Sequence, residues 1–366
     1  MDSIEKPAKL WIEYTIAILL VKYTMISLVV IGTVGNLLSF VVLMRRRMRR
    51  NSVNTYLAIL SCADTVVLYI SAFKTWLRVA TGFELLHVSD AACKITIFVF
   101  MLASHLSAWL IVLVTANRFV AVCFPFRAVQ MFTPKKSVLA VVVLICVLIA
   151  YNVHLLWTMH LHEFEYGYKQ CAPRLSNDFM NGPFNYIRLA SYTLVPFALV
   201  MGMNASIIVC ICRTSRQTVR NADRALTRTG LLVTNTRTLQ RNKQQITVML
   251  LLVSFSWLLL TLPFAVISLI NFRYSTNHGR AATFLLKTTS FLLMYLNHSC
   301  NFFLYCMVGK KFRTEFISMF CDCRRSLLEP RPSTFKGNRT RRSSHKRAGE
   351  IPLTVYNASG RTMTAL

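Results

Sequence analysis

Residues 54–73 read NTYLAILSCADTVVLYISAF, twenty positions with one charge, Asp64, and neither glycine nor proline. At 1.5 Å per residue a helix of that length covers about 30 Å, the thickness of a bilayer's hydrocarbon core. A carboxylate at its middle costs several kcal/mol unless it meets partners or water, so Asp64 is a functional candidate by default. One apolar run could still be a buried core helix. Six more change that.

Charge-free runs also occupy Tyr23–Met44, Ile95–Asn117, Val138–Leu161, Leu189–Cys212, Gln244–Phe272 and Thr288–Gly309. The 366-residue chain is 54% hydrophobic and 15% charged, with mean hydropathy +0.47 and net charge +28. A nucleic-acid binder would explain the basic excess but not the apolar runs, and a disordered chain would lack the aliphatics. The reading is an all-α seven-transmembrane helix bundle at 15–308, with spans about 15–44, 53–79, 92–123, 137–161, 185–212, 243–271 and 283–308. A short N-terminus (1–14) precedes it; an amphipathic helix (309–321) and a disordered tail (322–366) come after it. No cleavable signal peptide is evident, so the first span is expected to act as an uncleaved anchor. With the N-terminus outside, 30 of the 42 Lys and Arg fall on the cytoplasmic side with five of the 14 acids. The positive-inside rule therefore puts the N-terminus outside and the C-terminus in the cytoplasm of a multi-pass membrane protein.

Other polar side chains within the spans are Asn36, His105, Ser107, Asn204, Asn297, His298 and Asn301. Asn297 and Asn301 share a helix face. With Asp64 and Ser107 they could coordinate a small hard cation through oxygen, or amides could simply tie helices together. No paired carboxylates, metal-spaced His/Cys cluster or phosphate loop occurs, so no enzyme is expected.

Gly35-Asn36 in span one, Leu60 with Asp64 in span two, Asn117-Arg118-Phe119 ending span three and Asn301-Phe302-Phe303-Leu304-Tyr305 in span seven resemble the rhodopsin-like (class A) G-protein-coupled receptors. The string Asn297 to Cys306 is similar to invertebrate neuropeptide receptors, notably FMRFamide-receptor-like ones. The resemblance implies a sodium site at Asp64, Ser107, Asn297 and Asn301; an allosteric sodium ion is the one cofactor it suggests. It also implies that Asn117, Arg118, Phe119, Tyr305 and Pro263 serve activation and G-protein coupling. Departures are Asn117 for the usual acid, Phe302 for proline, Thr261 for the toggle tryptophan and Asn204 for a tyrosine, and Val141–Ile145 lacks a tryptophan. Without the acid beside Arg118, a weaker inactive-state lock is expected. Pro196 and Pro263 are expected to kink spans five and six.

The same resemblance implies location at the plasma membrane and a Cys93–Cys171 disulfide, on the oxidising side. Cys321 and Cys323, ending the amphipathic helix, are candidate palmitoylation sites. Ser343 and Ser344 lie among arginines that kinases could read, and Thr364-Ala365-Leu366 fits a PDZ ligand. Expected partners are an extracellular peptide or small-molecule agonist, a heterotrimeric G protein, arrestin and kinases at the tail, and the bilayer, with no nucleic acid.

Phe100 stands where amine receptors of the family carry Asp, and Tyr295 where opsins carry the retinal lysine, which disfavours both ligands. Lys74, Arg78, Arg188 and Lys287 cluster toward the outer ends of their spans, with Phe264 beside Pro263. Converging, they would favour a carboxylate or acidic peptide; separately, each would reach lipid headgroups, or Glu163, Glu165 and Asp178 would neutralise them. The leading reading is a neuropeptide receptor. A chemoreceptor for a small, anionic molecule is the alternative. A transporter is remote, because the spans show one buried acid and no buried base.

Overall fold

The computed structural model of the chain describes residues 11–164, 169–174, 183–225, 233–270 and 276–328. Among them, seven helices are long and apolar enough to cross a membrane. They are Ile12–Leu43, Ser52–Thr81, Asp90–Cys123, Pro134–Thr158, Tyr186–Thr214, the Leu251–Ser268 stretch of helix Val233–Leu269, and Asn277–Val308, here spans one to seven. Helix is the form that satisfies every backbone N–H and C=O within a single segment, which hydrocarbon demands. Their starts obey ordinary capping chemistry. Asn51, Ser89, Thr133 and Thr276 each accept a hydrogen bond from a backbone N–H of the turn they open, and Pro134 occupies the first turn of span four. Span two stops at Gly82, whose φ of +76° is costly for any side chain with a Cβ.

Three spans are locally unwound to π-helical turns, at Leu20–Met25, Leu68–Phe73 and Ala190–Leu194. The last ends two residues before Pro196, which lacks an N–H; the first two contain no proline or glycine. Pro263 lies inside span six, whereas span seven, with Phe302 in place of proline, runs unbroken to a C-cap at Gly309.

Between spans four and five, strands β1 (Met159–Glu163) and β2 (Lys169–Pro173) pair antiparallel with Leu161 opposite Cys171. Cys171 is disulfide-bonded to Cys93 in span three, and Asp90 Oδ1 accepts from Leu161 N at 2.9 Å, so the hairpin is fastened to the start of span three. At the other end of the bundle the amphipathic helix Lys310–Leu328 extends past the expected limit at 321. Glu315 holds it, meeting Arg45 at 3.4 Å and Arg47 at 3.6 Å, while Arg313 Nη1 donates to the last carbonyls of span seven. The chain divides into two units, Met1–Cys321 and Asp322–Leu366, and only Asp322–Leu328 of the second is described. Ser343, Ser344 and Thr364–Leu366 lie outside the described residues, as do the side chains of Cys321 and Cys323.

Span one packs closely on spans two and seven at Gly32. A Cβ there would stand 2.5 Å from Leu68 Cδ1 and 2.7 Å from Ser299 Oγ. Gly32→Leu is expected to destabilise by about 1–3 kcal/mol through overpacking, and Gly35→Ala, with its nearest neighbour at 3.1 Å, by less. Thermal unfolding of the solubilised receptor checks both; equal midpoints for wild type and Gly32→Leu would refute the close packing.

Candidate functional site

Asp64 lies where spans two, three and seven meet, and three donors converge on its carboxylate. Ser107 Oγ donates to Oδ1 at 2.8 Å, His298 Nδ1 lies 2.7 Å from the same oxygen, and Asn301 Nδ2 donates to Oδ2 at 2.7 Å. All four residues are at most 3% exposed. The network continues into span one, where Asn36 Nδ2 donates to the His298 carbonyl at 3.0 Å and Ser299 Oγ to that of Leu28 at 3.0 Å.

Three of the four residues expected at a sodium site are thus joined by hydrogen bonds. Asn297 is buried but does not bond Asp64; its neighbour His298 takes that place. Around the helix, position 301 lies between 297, about 40° away, and 298, about 60° away, and it is His298 rather than Asn297 that meets Asp64. The expectation of one buried acid and no buried base is corrected as well, since His298 is a buried base in contact with that acid. Its residue type was visible in the sequence; the rotation of span seven was not.

At the disulfide-bonded end a cavity of about 360 Å³ opens between spans one, two, three and seven. Lys74, Arg78, Phe100, Lys287 and Tyr295 line it, together with Val21, Met25 and Phe291. Its lower wall is fixed by Ser71, whose hydroxyl lies 2.5 Å from Tyr295 Oη. Two expected pocket residues are elsewhere. Phe264 stands behind the wall, its ring 5.0 Å from Phe291, and Arg188 sits with span five, its carbonyl accepting from Ser191 Oγ at 3.0 Å.

The acids near these cations also differ from expectation. Glu84 pairs with Arg78 at 3.4 Å, whereas Glu163 pairs across the hairpin with Lys169. Glu165 and Asp178 lie outside the described residues. Lys74 shows no ion pair among the described residues.

At the opposite end, Asn117 is buried and Arg118 half-buried, and neither Asn117 Nδ2 nor Arg118 Nε has a hydrogen-bond partner among the described residues. No described carboxylate pairs with Arg118. Phe119 stacks edge-on with Phe124 at 5.8 Å, and the buried Tyr305 ring lies 5.6 Å from Phe312 of the amphipathic helix. Asn204 Nδ2 donates to Ser254 Oγ at 2.9 Å, tying span five to span six. Thr261 turns its hydroxyl onto its own helix, at the Trp257 carbonyl, and the buried indole of Trp257 packs one turn away, 6.5 Å from Phe197. Neither the Trp257–Phe197 contact nor the Asn204–Ser254 bond was expected from sequence.

A family profile described as 7 transmembrane receptor (rhodopsin family) matches residues 35–305. Among similar proteins, the FMRFamide peptide receptor frpr-18 of Caenorhabditis elegans is 27% identical over 305 residues, 79% of this chain and 66% of that protein. The FMRFamide receptor of Drosophila melanogaster is 26% identical over 315 residues, covering 82% and 54%. Human galanin receptor type 2 is 24% identical over 304 residues, covering 78% and 69%. The chain therefore spans about two thirds and about half the length of the two FMRFamide receptors it matches. With seven helices long and apolar enough to cross a membrane, a fastened hairpin and a profile match that spans residues 35–305, the chain belongs to the rhodopsin family of seven-transmembrane receptors.

Proposed function

We propose that this chain is a plasma-membrane receptor for a peptide, with its N-terminus outside, that passes agonist binding to a heterotrimeric G protein. Family membership and the peptide names of its relatives support the class. The cavity bears on the ligand. Its volume falls within the range of small-molecule and peptide-side-chain pockets. Its apolar walls rise to a rim bearing Lys74, Arg78 and Lys287, and Lys74 makes no ion pair among the described residues. Such a rim favours a ligand that brings an acidic group, either a carboxylate terminus or an acidic side chain, and disfavours a cationic one. Agonist shifts the receptor toward its active form only by binding that form better. In that form the end of the bundle bearing Arg118 engages the G protein. Arrestin, kinases and a PDZ protein acting on the tail, and acylation at Cys321 and Cys323, belong to the same proposal.

The pocket's size also suits a small organic acid, and a receptor of this fold sensing such a molecule is the second reading. Screening acidic peptides and small organic acids for calcium and cyclic-AMP responses separates the two. Against the agonist so found, Lys74→Glu is expected to lower potency about 10- to 100-fold, as befits loss of a charged contact worth roughly 1.5–3 kcal/mol. Unchanged potency at matched surface expression would sink the acidic-ligand reading.

A further inference from the structure

We propose that His298 occupies the cation's place beside Asp64, so that this receptor excludes sodium from the centre of its bundle instead of binding it. A sodium ion is a hard cation that wants oxygen lone pairs around it, whereas imidazole suits softer metals. The groups around Asp64 present the opposite chemistry. Ser107 Oγ and Asn301 Nδ2 both point donor hydrogens at the carboxylate, at 2.8 and 2.7 Å. Those two could adapt, since a hydroxyl keeps its lone pairs and an amide can turn its oxygen inward. His298 cannot. Its Nδ1 stands 2.7 Å from Oδ1, in the space an ion bridging Asp64 and span seven would fill, and a ring nitrogen has no oxygen to offer.

The backbone that carries the ring is held in place. Asn36 holds the His298 backbone carbonyl at 3.0 Å, and Ser299 bonds both Leu28 in span one and Tyr295 one turn before it. His298 is 2% exposed. The side chain thus performs the ion's mechanical task, joining the span-two carboxylate to span seven, as a permanent part of the chain. The hydrogen bond to Asp64 Oδ1 is donated by the ring tautomer that carries a proton on Nδ1.

The test is thermal unfolding of the purified full chain in detergent, in NaCl and in N-methyl-D-glucamine chloride at the same ionic strength of about 0.15 M. Wild type is expected to give the same midpoint in both salts. His298→Ser, which replaces the ring by an oxygen and opens the space, is expected to gain a sodium-specific rise of about 2 °C or more. Asp64→Asn placed on that background is expected to abolish it. A sodium-specific rise in wild type that Asp64→Asn removes overturns the proposal. So does a folded His298→Ser protein with no response to sodium, because the ring would then not be what keeps the ion out. Should His298→Ser fail to fold, His298→Asn retains bulk while offering a carbonyl oxygen, and the wild-type comparison is decisive by itself.

Discussion

Arg118→Ala is expected to abolish agonist-driven nucleotide exchange on the G protein while leaving the amount of folded receptor at the surface unchanged. The side chain makes no ion pair with any described residue, and its Nε is without a partner, so the folded bundle loses little when it is removed. A partner complex would lose far more. Truncating one member of a desolvated, hydrogen-bonded charged contact costs about 2–5 kcal/mol, which is roughly 30-fold or more in the population of the complex. The neighbouring position should move signalling the other way. Asn117→Asp supplies a carboxylate onto which the long Arg118 side chain can fold back, favouring the inactive form. A pair worth about 1 kcal/mol would reduce the basally active fraction roughly 5-fold. Basal and agonist-stimulated nucleotide exchange at matched expression read both variants. Intact exchange in Arg118→Ala would end the transduction model, and equal basal activity in Asn117→Asp would show that the missing acid does not set the resting state.

The number of spans was legible because hydrocarbon imposes a length and a near-absence of charge that any window of sequence reveals. The lone intramembrane acid stood out for the same reason, and the residues that gather on it were nearly all in view. What the pattern could not supply was rotation. A span in lipid is apolar on its outer face as well as its inner one, so periodicity does not say which side of span seven meets Asp64. Asn297 and His298, about 100° apart, were equally eligible. The π turns at Leu20–Met25 and Leu68–Phe73 have no proline or glycine to announce them, yet Val21, Met25 and Ser71 within them line the cavity. Substitutions at family positions were readable from the sequence, but the contacts made there were not: Ser254 across from Asn204, and Trp257 against Phe197, are relations between helices.

The second large effect is expected at Asp64. Asp64→Ala strips the acceptor from His298 Nδ1, Ser107 Oγ and Asn301 Nδ2 together. Each buried donor left without a partner costs about 1–3 kcal/mol, so the sum is a large fraction of the roughly 5–15 kcal/mol that holds a folded protein together. Asp64→Asn should be much milder, because it keeps an acceptor for Ser107 and His298 and lets the Asn301 amide turn its oxygen toward the new NH₂. His298→Leu lies between, losing one bond from a carboxylate that retains two. If the pair acts as a unit, Asp64→Ala with His298→Leu will be less harmful than the two losses added, with a coupling of about 1–3 kcal/mol. Half-inactivation temperatures of the solubilised receptor give this order directly. Equal losses for Asp64→Ala and Asp64→Asn would mean that charge alone matters at this junction and that the three donors do not depend on their acceptor. The expected order instead makes the junction a hydrogen-bonded clasp between spans two, three and seven. A displacement of span seven at the cavity, where Tyr295 stands three residues before His298, would then reach Asn301 and Tyr305 through a side chain that has no mobile ion to release.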